Sequence, residues 1–158
     1  MQKRLAVRVA RRLSLEEVNA RLRELEAKHE CSFEKFQERV SREAERGLMK
    51  DYGEWSYMIY ALRAYEEGEE FDCVIDEERM LTTDLVSSLT PKRIQLLYEI
   101  PRFPVESIND LAKRLGRDVK NVYTDLKTLE ELGLVHLRKL GRNIVPQLSV
   151  MELSFVFE

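Results

Sequence analysis

Metal and disulfide chemistry have little to work with in this sequence, which holds two cysteines and two histidines in 158 residues. Cys31 and Cys73 lie far apart without a CxxC pair, and His29 and His136 are equally dispersed. No sequence-recognisable zinc spacing results, and reduced, unpaired thiols are the plain expectation. His29 with Cys31 comes nearest to a ligand pair, but two ordinary residues at a helix end explain it better. Long apolar runs are lacking too: stretches such as MIYAL at 58–62 fall far short of the roughly 20 residues of a membrane-spanning helix, so no span is expected. The basic start, MQKRLAVRVARR, alternates apolar and charged residues and offers no continuous apolar segment or small-residue cleavage site. It does not resemble a secretory signal, and a cytoplasmic location is expected. Catalytic constellations are missing as well. EEGEEFD and DEER supply carboxylates without a nearby His, a serine elbow, a phosphate-binding glycine loop or a metal spacing, and read as solvated acidic loops. Neither enzymatic activity nor a cofactor is expected.

What is present is charge, at 35% of residues, with 44% hydrophobic residues, the balance of a soluble globular protein of one or two small domains. The formal net charge of −3 hides a division along the chain. Residues 1–89 hold 15 Lys/Arg against 20 Asp/Glu, whereas residues 90–148 hold 11 against 7. A further cluster of five Lys/Arg without any acid occupies residues 1–12. The positive surplus of the C-terminal segment points towards nucleic acid.

The alternation in LAVRVAR predicts a short half-buried strand over Leu5–Arg11. Ser14 with Glu17 forms a capping-box pattern that starts a helix, whose stripe is Leu15, Val18, Leu22 and Leu25. A second amphipathic segment begins at Cys31 or Ser32 and runs through Phe33, Phe36 and Val40, with Gly47 expected to interrupt it. Asp51 with Glu54 makes another capping-box pattern, followed by Trp55, Met58, Ile59, Leu62 and Tyr65 on one side of a helix that stops near Gly68. FDCVI then reads as a short strand and LTTDLVSSL as a short helix or turn, which makes residues 71–89 the best place for a boundary.

From Thr90 the pattern sharpens. Pro91 starts a helix at the position where its missing N–H costs nothing, with Ile94, Leu97 and Tyr98 as its expected buried side. PRFP stops it. Ser107 caps the next helix, with Asp110 at the capping-box position and Ile108, Leu111, Ala112 and Leu115 as its apolar side. Gly116 ends that helix, Asp118 caps a third, and Val119, Val122, Leu126 and Leu129 are its expected core stripe before Gly133. LVHLR and NIVPQL read as strands around the turn KLGRN. A short helix, a tight glycine turn, a longer helix and a hairpin have the layout of a winged helix-turn-helix.

Over roughly residues 89–158 the chain resembles the archaeal and bacterial winged-helix regulators of the MarR-like and related families. The resemblance is carried by LTPKRIQLL, SINDLAKRLGRDVKNVYTDLKTLEELGLV and KLGRNIVPQL. It implies that the third helix enters the DNA major groove and the hairpin touches the backbone beside it. On the helical wheel Lys120, Asn121, Thr124, Lys127 and Thr128 share the face opposite the apolar stripe. Lys120, Asn121 and Thr124 are the candidate base contacts: Lys120 can reach guanine or a phosphate, Asn121 can pair with adenine, and Thr124 offers a hydroxyl or a methyl contact to thymine. Arg117 and Lys127 suit phosphates, Tyr123 suits either role, and Lys139, Arg142, Arg138 and Asn143 of the wing suit the backbone or minor groove. Asp125 is expected to project to the flank, leaving Glu131 as the awkward charge.

Winged-helix regulators commonly pair to read two half-sites, so a homodimer is expected. Its contact surface, or that for another partner, would come from Leu15, Val18, Leu22 and Leu25, from Trp55, Met58 and Leu62, or from the tail LSFVFE adding a strand across a subunit boundary. The acidic helix DYGEWSYMIYALRAYEEG also looks like segments of small prokaryotic antitoxins, whose other half binds the operator. The expected fold is α+β: a mostly helical region at 1–70, a strand and linker at 71–89, and a winged helix-turn-helix at 90–158. The expected function is sequence-specific binding of double-stranded DNA by a transcriptional regulator. A DNA-binding antitoxin with a toxin partner, or a winged helix used only as a protein-interaction module, are the alternatives.

Overall fold

The computed structural model of the chain describes residues 5–43 and 45–157. Strand β1 (Leu5–Arg12) is followed by helices α1 (Leu15–His29), α2 (Phe33–Arg42) and α3 (Arg46–Glu66) and strand β2 (Val74–Met80). Helices α4 (Thr83–Ser88), α5 (Pro91–Glu99), α6 (Ile108–Leu115) and α7 (Val119–Glu131) come next, then strands β3 (Val135–Leu140), β4 (Asn143–Leu148) and β5 (Val150–Phe157). The architecture is mixed α+β. Two compact units divide it: Leu13–Val74 is one, and the described residues of Met1–Arg12 and Ile75–Glu158 form the other. Strand β1 therefore counts with the C-terminal segment rather than with the helices that follow it, because its hydrogen-bond partner is β5. Lys3 and Arg4 of the N-terminal basic cluster lie outside the described residues. No described helix is long and apolar enough to cross a membrane.

In the helical unit the Ser14 cap forms as expected, with Glu17 N donating to Ser14 Oγ at 3.2 Å and Ser14 N donating to Glu17 Oε2 at 2.9 Å. The second expected cap does not form. Asp51 and Glu54 lie inside α3, which runs straight through Gly47 and Gly53. Their carboxylates instead reach α1: Lys28 Nζ and His29 Nε2 lie 2.6 and 2.7 Å from Asp51 Oδ2, and Arg21 Nη1 donates to Glu54 Oε1 at 3.0 Å. A carboxylate one helix turn before apolar residues has the same spacing whether it caps a helix or faces a neighbouring one, and here the neighbour wins. The His29 ring packs against Phe36, with centroids 4.2 Å apart, and Phe36 stacks on Trp55 at 5.2 Å. This contact occupies His29, and the described residues contain no cluster of three or more His, Cys, Asp or Glu able to hold a metal.

The other unit contains a three-stranded sheet in the order β2-β1-β5 and a separate β3–β4 hairpin. Strands β1 and β5 are antiparallel, with Val7 opposite Phe155 and Val9 opposite Leu153. Residues 153–157 of the LSFVFE tail thus pair with β1 of their own chain, and β5 stands at the edge of the sheet. Val7 and Val9 join Leu96, Ile100, Leu111, Val122, Leu126 and Leu129 in one core. On α5 the buried residues are Leu96 and the cap residue Ile100, while Ile94 and Tyr98 are exposed. Of the expected stripe Leu97 packs against the core, and the other two positions are replaced because a nine-residue helix offers two plausible apolar rows between which only packing selects.

FDCVI, expected as a strand, lies mostly before β2, whose half-buried positions beyond Ile75 are the ionic Glu77 and Arg79. Arg11 of β1, buried among the core residues, donates to Glu77 of β2 from Nε and Nη2 at 3.3 and 3.2 Å. Arg79 donates from Nη2 to Glu77 at 2.8 Å and from Nη1 to the carbonyl of Leu132 at 2.6 Å, tying the sheet to the end of α7. There Gly133, at φ +73°, closes a Schellman motif: its N–H donates to Glu130 O and that of Leu134 to Leu129 O. A Cβ on Gly133 would stand 3.0 Å from the Arg11 guanidinium, which its pairing with Glu77 keeps from swinging aside. Gly116 has a similar φ of +61° but open space around it. Gly116→Ala should therefore lose only the left-handed penalty of about 1–2 kcal/mol, and Gly133→Ala should lose clearly more, as read from urea unfolding of the two variants.

Candidate functional site

Helices α6 and α7 meet through the three-residue turn Gly116–Asp118. The turn is written in local chemistry. Ser107 Oγ accepts from Asp110 N at 3.0 Å to start α6, and Gly116 adopts the left-handed conformation that ends it. Asp118 Oδ1 then accepts from Lys120 N at 2.9 Å and Asn121 N at 3.3 Å to start α7. Val122, Leu126 and Leu129 anchor α7 in the core as expected. Val119 does not: it is 41% exposed, because the first turn of the helix projects past the core.

Lys120, Asn121, Tyr123, Thr124 and Lys127 are all exposed along α7. Two expectations for this face change. Arg117 is not free, since its Nη2 is bound to Asp125 and the side chain is largely buried. Asp125 also accepts from Arg93 Nε of α5 at 3.0 Å, and Arg93 Nη1 reaches Ser88 O at 3.1 Å. The carboxylate therefore sits between two guanidinium groups instead of merely pointing aside. Lys127 is tied to Glu130 at 2.8 Å, and this hydrogen bond holds its ammonium pKa above the ordinary lysine value. Glu130 also accepts from the Leu137 N–H of β3 at 3.2 Å, so it fastens the hairpin to the helix.

That outward Leu137 N–H accounts for the proline in the opposite strand. Leu137 pairs with Pro146 at a position where both amide sites face away from the ladder, so the missing proline N–H removes no bond. At the tip Gly141, at φ +60°, leads a two-residue turn that carries Arg142. Strand alternation puts Lys139 and its partner Ile144 on the face shared with Leu137 and Pro146, and sends Arg138 to the opposite face. Arg138 thus parts from Lys139, although both are exposed.

Between α7 and the hairpin lies a cleft whose walls include Val119, Lys120, Tyr123, Thr124, Arg142 and Ile144. Asn121 is on the other flank of α7, where Lys92, Arg117 and Asp118 line a separate, more polar hollow. Thr124 borders both. A family model described as HVO_A0114 matches residues 88–153. It spans α5, α6, α7 and the hairpin, and its description states no activity. No curated protein matches the chain.

The surfaces expected to meet a second protein are mostly spoken for. Val18, Leu25, Trp55 and Met58 are buried, and Leu15, Leu22 and Leu62 are half-buried, whereas Tyr65 of the expected stripe is exposed. The residues missed by the sequence reading are Arg93, Glu130 and Ile144. Arg93 carried a signal, because it sits three residues before Leu96 and seven before Ile100, on the buried row of α5. Asp125→Asn should destabilise the chain by about 2 kcal/mol in urea unfolding, the scale of charged hydrogen bonds withdrawn from two half-buried arginines. Lys127→Ala, which breaks only an exposed i,i+3 pair, should change the midpoint far less.

Proposed function

We propose that the chain is a sequence-specific double-stranded DNA-binding protein acting as a transcriptional regulator, with α6 and α7 as the helix pair of a winged helix-turn-helix and β3–β4 as its wing. One observation carries this reading: on α7 the acid that would repel phosphate, Asp125, is held between Arg93 and Arg117, while Lys120, Asn121 and Thr124 stay exposed. Arg142 lines the cleft opposite α7, and neither it nor Lys139 of the same hairpin forms an ion pair among the described residues. The basic groups are thereby left available and the acidic one is neutralised at the same surface.

In this reading α7 lies in the major groove. Asn121 pairs with N6 and N7 on the major-groove edge of an adenine, Lys120 reaches guanine or a phosphate, and Arg142 with Lys139 holds the backbone. Arg117 serves as a strut for the helix rather than as a phosphate contact. A second copy would supply the second half-site. The surface that supports such pairing is the edge strand β5, which exposes Met151, Phe155 and Phe157.

Binding to random duplex DNA should fall steeply with salt, and Arg142→Ala should weaken all sequences together while reducing the slope by about one unit per lost phosphate contact. Asn121→Ala should instead relax discrimination at one base pair by about 1–3 kcal/mol. Fluorescence anisotropy across a salt series checks both. Absence of binding to any duplex at low salt would refute the function, and equal losses on every sequence for Asn121→Ala would refute that residue's role.

A further inference from the structure

The cleft between α7 and the hairpin is more apolar than phosphate binding needs. Val119 and Tyr123 are 41% and 42% exposed, one helical turn apart, and Ile144 across from them is 36% exposed. Thr124, beside them, donates its hydroxyl back to the Lys120 carbonyl at 2.9 Å. Its polar branch is engaged by the helix, and the γ-methyl is the branch left for a partner. An apolar strip therefore runs along the helix, bordered by Lys120 and by Arg142 at the hairpin tip.

We propose that this strip reads the C5-methyl groups of thymine in the major groove, so that Val119, Tyr123, the Thr124 methyl and Ile144 set a preference for thymine-containing steps. The proposal rests on the reading of α7 as a duplex-DNA surface and deepens it. Charge selects the occupant: the basic border calls for a polyanion, and among the parts of duplex DNA the thymine methyl is the apolar group exposed on a base edge. Phosphates, by contrast, offer acceptors, and the minor groove offers acceptors and one amino donor. Length agrees as well. One turn of α7 from Val119 to Tyr123 advances about 6 Å, close to two base-pair steps of roughly 3.4 Å each. The strip thus covers two adjacent base pairs, while Asn121 on the opposite flank addresses a third by hydrogen bonding.

The test uses the full chain with alternating dA·dT, dA·dU, dG·dC and dG·5-methyl-dC duplexes of equal length at low salt. Removing the methyl by replacing thymine with uracil should weaken binding about fourfold per methyl contact, and methylating cytosine should strengthen it in the same sense. Val119→Ser, at an exposed first-turn position, should lower the thymine-to-uracil ratio, Ile144→Ser should lower it too, and both should leave the salt slope unchanged. Equal affinity for the thymine and uracil duplexes with a steep salt slope would overturn methyl readout while the DNA-binding reading stood. A ratio that survives both Val119→Ser and Ile144→Ser would remove the readout from this cleft, and no binding to any duplex would overturn both proposals.

Discussion

The carboxylate of Glu77 is the group on which the larger unit turns. It receives Arg11 from the central strand and Arg79 from its own strand, and Arg79 passes on to the carbonyl of Leu132, the residue that caps the end of α7. Arg11 is the one charged residue buried among the described residues, so its guanidinium has no solvent to fall back on. Removing one partner of such a pair is far more damaging than the pair itself is stabilising, because it strands the other charge. The network also accounts for Gly133, which leaves room for the Arg11 guanidinium at the point where α7 ends. Sheet and helix are thus joined both by this ionic network and by the apolar core that Val7 and Val9 share with Val122, Leu126 and Leu129.

Helix α7 is held at four points along its length. Asp118 caps its first turn, Asp125 bridges Arg93 and Arg117 in its middle, Glu130 reaches the hairpin, and Arg79 binds its end. Three of those four ties use acidic residues of α7 or its cap. Asp118, Asp125 and Glu130 are thereby engaged by backbone amides, arginines and Lys127, and the same bonds that orient the helix offset their charge, with Glu131 as the exception. Stability and surface electrostatics are one arrangement here. Glu131 is exposed and forms no ion pair among the described residues, near the C-terminal end and away from Lys120 and Asn121.

Local features were legible in the sequence. The Ser14, Ser107 and Asp118 caps all accept the expected backbone N–H groups, Pro91 opens its helix, and Gly116 and Gly133 both adopt positive φ. The hairpin around Gly141 stands where KLGRN placed it. Misreadings arose where one spacing served two purposes. Asp51 and Glu54 have cap spacing but bind the neighbouring helix, Val119 continues the apolar row of α7 yet projects beyond the core, and Ile94 and Tyr98 form a row that packing did not choose.

The sequence by itself determined the caps, the helix ends, the hairpin turn and the basic balance of the C-terminal segment. Each of these depends on residues within a few positions of one another, or on composition alone. Tertiary structure alone decided which charges of that segment remain available. The partner of Asp125 lies 32 residues away at Arg93, and that of Arg11 lies 66 residues away at Glu77. Ion pairs of that reach leave no periodic trace. Arg117 was thus withdrawn into the scaffold and Val119 left at the surface by where the chain folds back on itself.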